Sequence, residues 1–180
     1  MLNVIIFTNL IIMEESFNSI YHSPLGPLVI EGTSSVITTI TFLEEEPPKV
    51  EDNRKIPTVL DHCAFLLTEY FAGRLLAFDI ATQLNGTSFQ LEIWKLLIDI
   101  PFGKTISYLE LSKRYGDVNA IRAVGAANGK NPLPIIVPCH RVIGSKGELT
   151  GYSGKIWRKK WMLEHENSIV SKQQSLFSLL

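Results

Sequence analysis

Three prolines within seven positions set the course of the segment Asn131-Pro132-Leu133-Pro134-Ile135-Ile136-Val137-Pro138-Cys139-His140-Arg141-Val142. Proline has no N–H to give to a helix, and it pushes the residue before it toward extended backbone. The segment therefore cannot be absorbed into a helix, and the pattern predicts a stiff, extended strand that presents Cys139. His140 stands beside it, so a soft nucleophile neighbours a group able to take its proton. A free thiol, with a pKa of roughly 8.5, is mostly protonated at neutral pH. A nearby base and a water-accessible pocket change that. Cysteine is also among the most buried residue types, and a lone histidine is more often structural than catalytic. The rest of the chain decides between these roles.

The chain has 180 residues, enough for one large or two small domains, and its hydrophobic and charged fractions, 46% and 19%, are those of a globular protein. Its two cysteines, Cys63 and Cys139, form neither a disulfide framework nor a zinc-ligand spacing. A reducing, intracellular setting is the default. Met1 to Ile12 is apolar and uncharged. It is shorter than the about 20 residues a membrane-spanning helix needs, and it lacks the basic start and cleavage site of a signal peptide. It reads as an extra edge strand or as sequence ahead of a true start at Met13. Charge is unevenly spread. Residues 1–100 carry 5 Lys and Arg against 13 Asp and Glu, whereas residues 101–166 carry 11 against 5. A basic C-terminal half on an acidic protein is the footprint of a phosphate-binding face.

The first half reads as strands followed by a helix. Ile20-Tyr21-His22, a Ser23-Pro24-Leu25-Gly26-Pro27 turn, Leu28-Val29-Ile30 and Val36 to Phe42 have strand and turn composition. Apolar positions recur at helical spacing from Pro57 to Phe71, with Cys63 on the buried face and Gly73 as the stop. Leu75 to Ile80 reads as another short strand.

The second half changes character. Thr87-Ser88 can cap a helix that runs to about Ile98. Ser107 and Glu110 form a capping-box pattern for a helix ending at Tyr115-Gly116, and a third helix covers Ala120 to Asn128. Two short helices joined by a glycine-containing turn read as helix-turn-helix. The third helix, Ala120-Ile121-Arg122-Ala123-Val124-Gly125-Ala126-Ala127-Asn128, is mostly small residues. A major-groove reader carries several long polar side chains. This helix instead allows close backbone approach to the nucleic-acid backbone, with Arg122 able to enter the base stack from the minor groove.

Together these pieces resemble the DNA alkyltransferases that repair guanine alkylated on its exocyclic oxygen. The resemblance covers about residues 20–166. It is carried by the Ser23-Pro24-Leu25-Gly26 turn, the 131–142 segment, Gly151-Tyr152-Ser153-Gly154 and Trp161-Met162-Leu163-Glu164-His165-Glu166. It implies an N-terminal ribonuclease-H-like α/β domain (14–84) and an all-α, winged helix-turn-helix C-terminal domain (85–166). Residues 1–13 and 167–180 are left as uncertain tails, the latter expected to be mobile, and the site is expected in a groove on the C-terminal part.

The resemblance also assigns roles. Cys139 is the alkyl acceptor. His140 takes its proton through a water and is oriented by Glu166. Tyr108 protonates the guanine leaving group, and Asn131 pins the turn carrying the cysteine. The carbonyls of Cys139 and Val142 hold the exocyclic amine of a flipped base, the Ser153 N–H holds its oxygen, and Tyr152 covers the pocket. Arg122 fills the vacated stack, Lys159 lies near the site, and Arg141 is grouped with the DNA-contacting residues. The expected partner is double-stranded DNA carrying alkylated guanine, acted on by a monomer without membrane, metal or cofactor, in the cytoplasm of a prokaryote or the nucleus of a eukaryote. Three rivals remain: a damage-flagging module without transfer, a plain helix-turn-helix regulator, and a cysteine hydrolase. The presence of Cys139 with His140 and Glu166 opposes the first, the short-sided third helix the second, and the lack of any marked oxyanion site the third.

Overall fold

The computed structural model describes residues 15–46 and 55–177. The apolar stretch 1–12 lies outside them. β1 (Phe17–Ser23), β2 (Gly26–Gly32) and β3 (Ile37–Phe42) form an antiparallel meander in the order β1-β2-β3. Ser23 pairs with Gly26 across a two-residue turn, in which the Ser23 hydroxyl donates to the Gly26 carbonyl (2.7 Å) and accepts from the Leu25 N–H (3.1 Å). Gly26 has φ 101°, a left-handed conformation that glycine enters without steric cost. Alternation then decides which face is covered. Leu28, Ile30, Ile37 and Ile40 point inward and are buried.

α1 (Thr58–Phe71) lays Leu60, Cys63, Leu67 and Tyr70 on that face, as the helical spacing predicts, so Cys63 is a core residue. Residues 75–80 do not form the expected strand. The Leu75 N–H is taken by the Glu69 carbonyl at the end of α1 (3.2 Å), and the chain meets β3 only later, where Ile37 exchanges hydrogen bonds with Ala81 and Gln83 (2.9 Å each).

The second part is helical: α2 (Ser88–Ile98), α3 (Tyr108–Tyr115), α4 (Ile121–Gly129) and α5 (Ile156–Phe177). Thr87 caps α2 with a full capping box to Gln90. At α3 only half of the expected box forms. Ser107 accepts from the Glu110 N–H (3.0 Å), while the Glu110 carboxylate turns to Arg114. Gly116, with φ 99°, ends α3, and a 3₁₀ turn (Val118–Ala120) leads into α4. Among the described residues the only regular strands of this part are β4 (Ile106–Ser107) and β5 (Val142–Ile143), a two-residue parallel ladder.

Two expectations are corrected here. Residues 167–177 are not a mobile tail but the continuation of α5, and Ile169 and Val170 pack so closely on Gly73 and Gly103 that a Cβ there would meet them at 2.9 and 2.6 Å. Nor is the proline-rich segment a strand. The Val137 N–H returns to the Leu133 carbonyl, and the Cys139 N–H to the Val137 carbonyl, both at 2.8 Å. Pro138 has φ −81° and ψ 61°, the centre of an inverse γ-turn, and Cys139–Arg141 form a 3₁₀ turn. The prolines exclude the α-helix as expected, but they fold the chain into consecutive tight turns. Among the described residues no helix is long and apolar enough to cross a membrane.

Candidate active site

The cysteine turn is held from three sides. From β3, the Ile40 N–H donates to the Pro132 carbonyl (2.8 Å). From within, the Asn131 amide donates to the Val137 carbonyl (2.7 Å) and accepts from the Leu133 N–H (3.0 Å). From α4, Asn128 donates to the Cys139 carbonyl (3.3 Å). These clamps hold Ile135 at φ 77°, a left-handed conformation that is costly for a β-branched residue.

Behind the turn stands Glu166 of α5, fully buried, as is His140. Its Oε1 accepts from Tyr70 Oη (3.0 Å) and Arg141 Nη2 (3.0 Å) and lies 2.9 Å from His140 Nε2. Its Oε2 accepts from Arg141 Nε (3.0 Å) and the Gly103 N–H (2.9 Å). Burial alone would raise this carboxyl, but the hydrogen bonds and charges of His140 and Arg141 outweigh it and hold the pKa at about 2. Burial pushes His140 below its ordinary value, with the Glu166 carboxylate opposing. At neutral pH the pair is thus a neutral imidazole facing an ionised carboxylate. A nitrogen that faces a carboxylate carries the proton, so Nε2 is the N–H and Nδ1 the bare acceptor. Nδ1 has no protein hydrogen-bond partner.

Cys139 is 3% exposed. Burial drives its thiol up to about 11, against the opposing pull of the Asn131 amide and the Lys159 charge. Lys159 is fully buried and donates to the carbonyls of Val142 (2.6 Å) and Thr150 (2.8 Å), and burial brings its ammonium down to about 8. Its Nζ lies 5.7 Å from the centre of the Tyr108 ring. The Tyr108 hydroxyl donates to the Thr150 carbonyl (3.0 Å), and burial raises its pKa. Tyr152 is buried, and its hydroxyl has no protein partner.

The structure therefore brings together Cys139, His140, Glu166, Asn131, Lys159, Tyr108, Tyr152 and Val142. Arg122 stands apart, exposed on α4. Ser153 is exposed on the rim of a groove lined also by Thr39, Phe42, Asn131, Pro134 and Gly154. That groove runs along the seam between β3 and the cysteine turn, and Cys139 is not among the residues that line it. Arg141 requires a correction. It is 7% exposed, and its guanidinium is spent on Glu166 and on the Ile100 carbonyl (2.6 Å), so it is a partner of the buried carboxylate and not a DNA contact. Three contributors escaped the sequence: Tyr70, Asn128 and the Gly103 N–H. Tyr70 and Asn128 sit on helix faces that read as plain core. The one available signal was that a buried tyrosine hydroxyl needs a partner.

A meander-and-helix domain joined to a helix-turn-helix domain, with a cysteine set against a histidine–carboxylate pair, defines a DNA-directed transferase that uses its own cysteine as acceptor. Residues 17–84 match the ribonuclease-like domain, and residues 88–168 the DNA-binding domain, of 6-O-methylguanine DNA methyltransferase. The methylated-DNA–protein-cysteine methyltransferase of Mycobacterium tuberculosis is 46% identical over 157 residues, 86% of this chain and 94% of that one. That of Methanosarcina acetivorans is 38% identical, over 84% and 99% of the two chains. The crystal structure of the M. tuberculosis O6-methylguanine methyltransferase superposes with a TM-score of 0.74 at 42% identity over 86% of this chain and 94% of that one. A crystal structure of the M. tuberculosis protein in complex with DNA gives 0.76 at 45% identity, over 84% and 93%. The chain belongs to the O6-methylguanine-DNA methyltransferase family. It repairs O6-alkylguanine in DNA by moving the alkyl group to a cysteine of its own.

Proposed function

We propose that Cys139 is that cysteine and that the reaction is a single, irreversible displacement on a flipped nucleotide. The observation that carries this reading is the bare, buried Nδ1 of His140, the residue next to Cys139 in the chain, while Nε2 faces Glu166. In the resting protein the thiol is protonated, since burial lifts it to about 11. The proton passes to His140 Nδ1 through a water, and the imidazolium is stabilised by the Glu166 carboxylate. The thiolate attacks the alkyl carbon, a C–S bond forms, and the C–O bond to guanine breaks. Tyr108 protonates the departing guanine and recovers a proton from the His140 imidazolium through solvent, so the thiol proton ends on guanine. Lys159 lowers the cost of negative charge on both Cys139 and Tyr108.

The base is held by backbone groups at the seam. The Val142 carbonyl keeps one lone pair beside the Lys159 bond for the exocyclic amine. The Cys139 carbonyl already accepts from Asn128 and from the Val142 N–H, so its use by the base requires Asn128 to let go. The Ser153 N–H meets the guanine oxygen, and Tyr152 covers the ring. DNA is bound mainly through phosphates and groove shape by α3 and α4. Arg122 enters the stack, offsetting the few kcal/mol that unstacking costs. The same chemistry extends to alkylated thymine. The chain acts as a monomer on double-stranded DNA, and its bacterial and archaeal relatives favour the cytoplasm as its place of work.

DNA carrying radiolabelled methyl on guanine tests the reading. Label is expected on Cys139 only, at one per chain. Cys139→Ala is expected to lose transfer and keep DNA binding. Label on another residue, or joint loss of transfer and binding, counts against it.

A further inference from the structure

The proton relay of the C-terminal domain is completed by a residue of the N-terminal one. Tyr70 sits on α1, fully buried, and its hydroxyl donates to Glu166 Oε1 at 3.0 Å, the same oxygen that faces His140 Nε2. It is packed by Phe71, Phe78, Phe102 and His165, and its own carbonyl lies 2.9 Å from His165 Nε2, so its position is fixed from several elements. We propose that Tyr70 is a positioning residue for alkyl transfer: by sharing Glu166 Oε1 with His140, it sets how strongly the carboxylate holds the imidazolium. The proposal rests on the relay described under Proposed function.

The chemistry gives the direction. Oε1 takes three donors, from Tyr70, His140 and Arg141. A hydrogen bond to an ionised acceptor withdraws charge from it, and charge-assisted bonds are the strong ones. With the tyrosine proton in place, less negative charge is left for the His140 Nε2–H. The imidazole is then a weaker base, and it stays neutral to lower pH. Removing that hydroxyl returns charge to Oε1, strengthens the bond to His140 and raises its affinity for a proton. The other charged groups facing His140 are Arg141 on its own turn and Lys159 on α5; a change at Tyr70 removes neither, and Arg141 shares the charge returned to Oε1 through its own bond to that oxygen. The Arg141 bonds and the Gly103 N–H hold the carboxylate in place in either case.

The test is Tyr70→Phe in the full chain, which keeps the ring and deletes only the hydroxyl. Single-turnover transfer from free O6-benzylguanine is followed from pH 5 to 9, alongside melting temperature and the ¹⁵N shifts of the His140 ring. The acid limb of the rate profile and the His140 titration are expected to move together to higher pH, by roughly half a unit or more. A purely structural role lowers the melting temperature and leaves both where they are. Should Tyr70→Phe fail to fold, site-specific 3-fluorotyrosine at 70, a stronger donor of similar size, is expected to move both to lower pH. An unmoved limb, or one displaced in the opposite sense, overturns the proposal. His140→Gln separates it from the relay itself. If that variant transfers at the wild-type rate, the relay falls; if it is slow while the Tyr70 variants leave the limb unmoved, only the role of Tyr70 falls.

Discussion

Ile135 carries the strain of the cysteine turn. A β-branched residue at φ 77° is held against its preference, and what holds it is the Asn131 side chain, bonded to the Leu133 N–H and the Val137 carbonyl on either side. The same amide helps to pull the Cys139 thiol down against burial. Asn131→Ala therefore removes a clamp and a stabiliser of the thiolate at once, and it leaves the buried Leu133 N–H without its acceptor. The expected cost is about 1–3 kcal/mol of stability, read from denaturant unfolding, with a loss of transfer from the free base larger than the loss of fold explains. Asn131→Asp keeps the acceptor for Leu133 but sets a carboxylate near the thiol and is expected to transfer more slowly still. Wild-type transfer in Asn131→Ala would mean the turn holds itself. Much of this was legible: the asparagine, the cysteine and the prolines stand together in the chain. The turn's real shape was not, because three prolines forbid a helix equally well whether the chain runs straight or doubles back, and only the Asn131 and Asn128 bonds decide that.

At the scale of elements, capping residues and spacing placed nearly every helix. Thr87, Ser107 and Gly116 mark ends that are seen, because their signals are local. The failures were long-range. Leu75 to Ile80 has strand composition, yet its first amide is claimed by Glu69 of α1. The tail after Glu166 has little apolar pattern, yet it stays helical because Ile169 and Val170 find Gly73 and Gly103. Arg141, grouped with the DNA-contacting residues through the resemblance, has its real partner 25 residues away on α5. Arg122 differs from it in environment: it is exposed on α4, a helix made mostly of small residues. Arg122→Ala is expected to slow repair in duplex DNA by at least about tenfold, since a few kcal/mol of unstacking then goes uncompensated. Transfer from free O6-benzylguanine is expected to be unchanged. Equal losses on both substrates would remove Arg122 from the flipping step.

For the molecule as a whole, one carboxylate ties the two domains and the chemistry together, and this gives a pH signature. The Glu166 carboxyl falls from 4.5 to about 2 on folding, so its contribution is present above pH 4.5 and is lost as the pH drops toward 2. The difference is worth about 3 kcal/mol. His140 acts in the same sense, because a histidine held below its ordinary value resists the proton that the unfolded chain accepts. Unfolding free energy is expected to fall from pH 6.5 downward and steeply below 4.5, and Glu166→Gln is expected to flatten the lower part of that slope. The same packing bears on turnover. A thioether on Cys139 does not hydrolyse, and the other cysteine, Cys63, is buried with its thiol pushed up to about 12, so it is not ionised enough to take the group over. Each chain therefore acts once. Cys139 is 3% exposed between the Asn131 clamp and the buried Glu166 network, so an added alkyl group has to be fitted into a site already packed. Overpacking of this kind costs about 1–3 kcal/mol. Titration with alkylated DNA is expected to give a burst equal to the protein concentration and then no further product, and the spent protein is expected to melt several degrees lower. A longer alkyl group lowers it further unless the group reaches the groove beside Ser153 and Gly154, where there is room. Product beyond one equivalent would overturn the single-turnover mechanism, and an unchanged melting temperature would show that the site opens to receive the alkyl group at no cost.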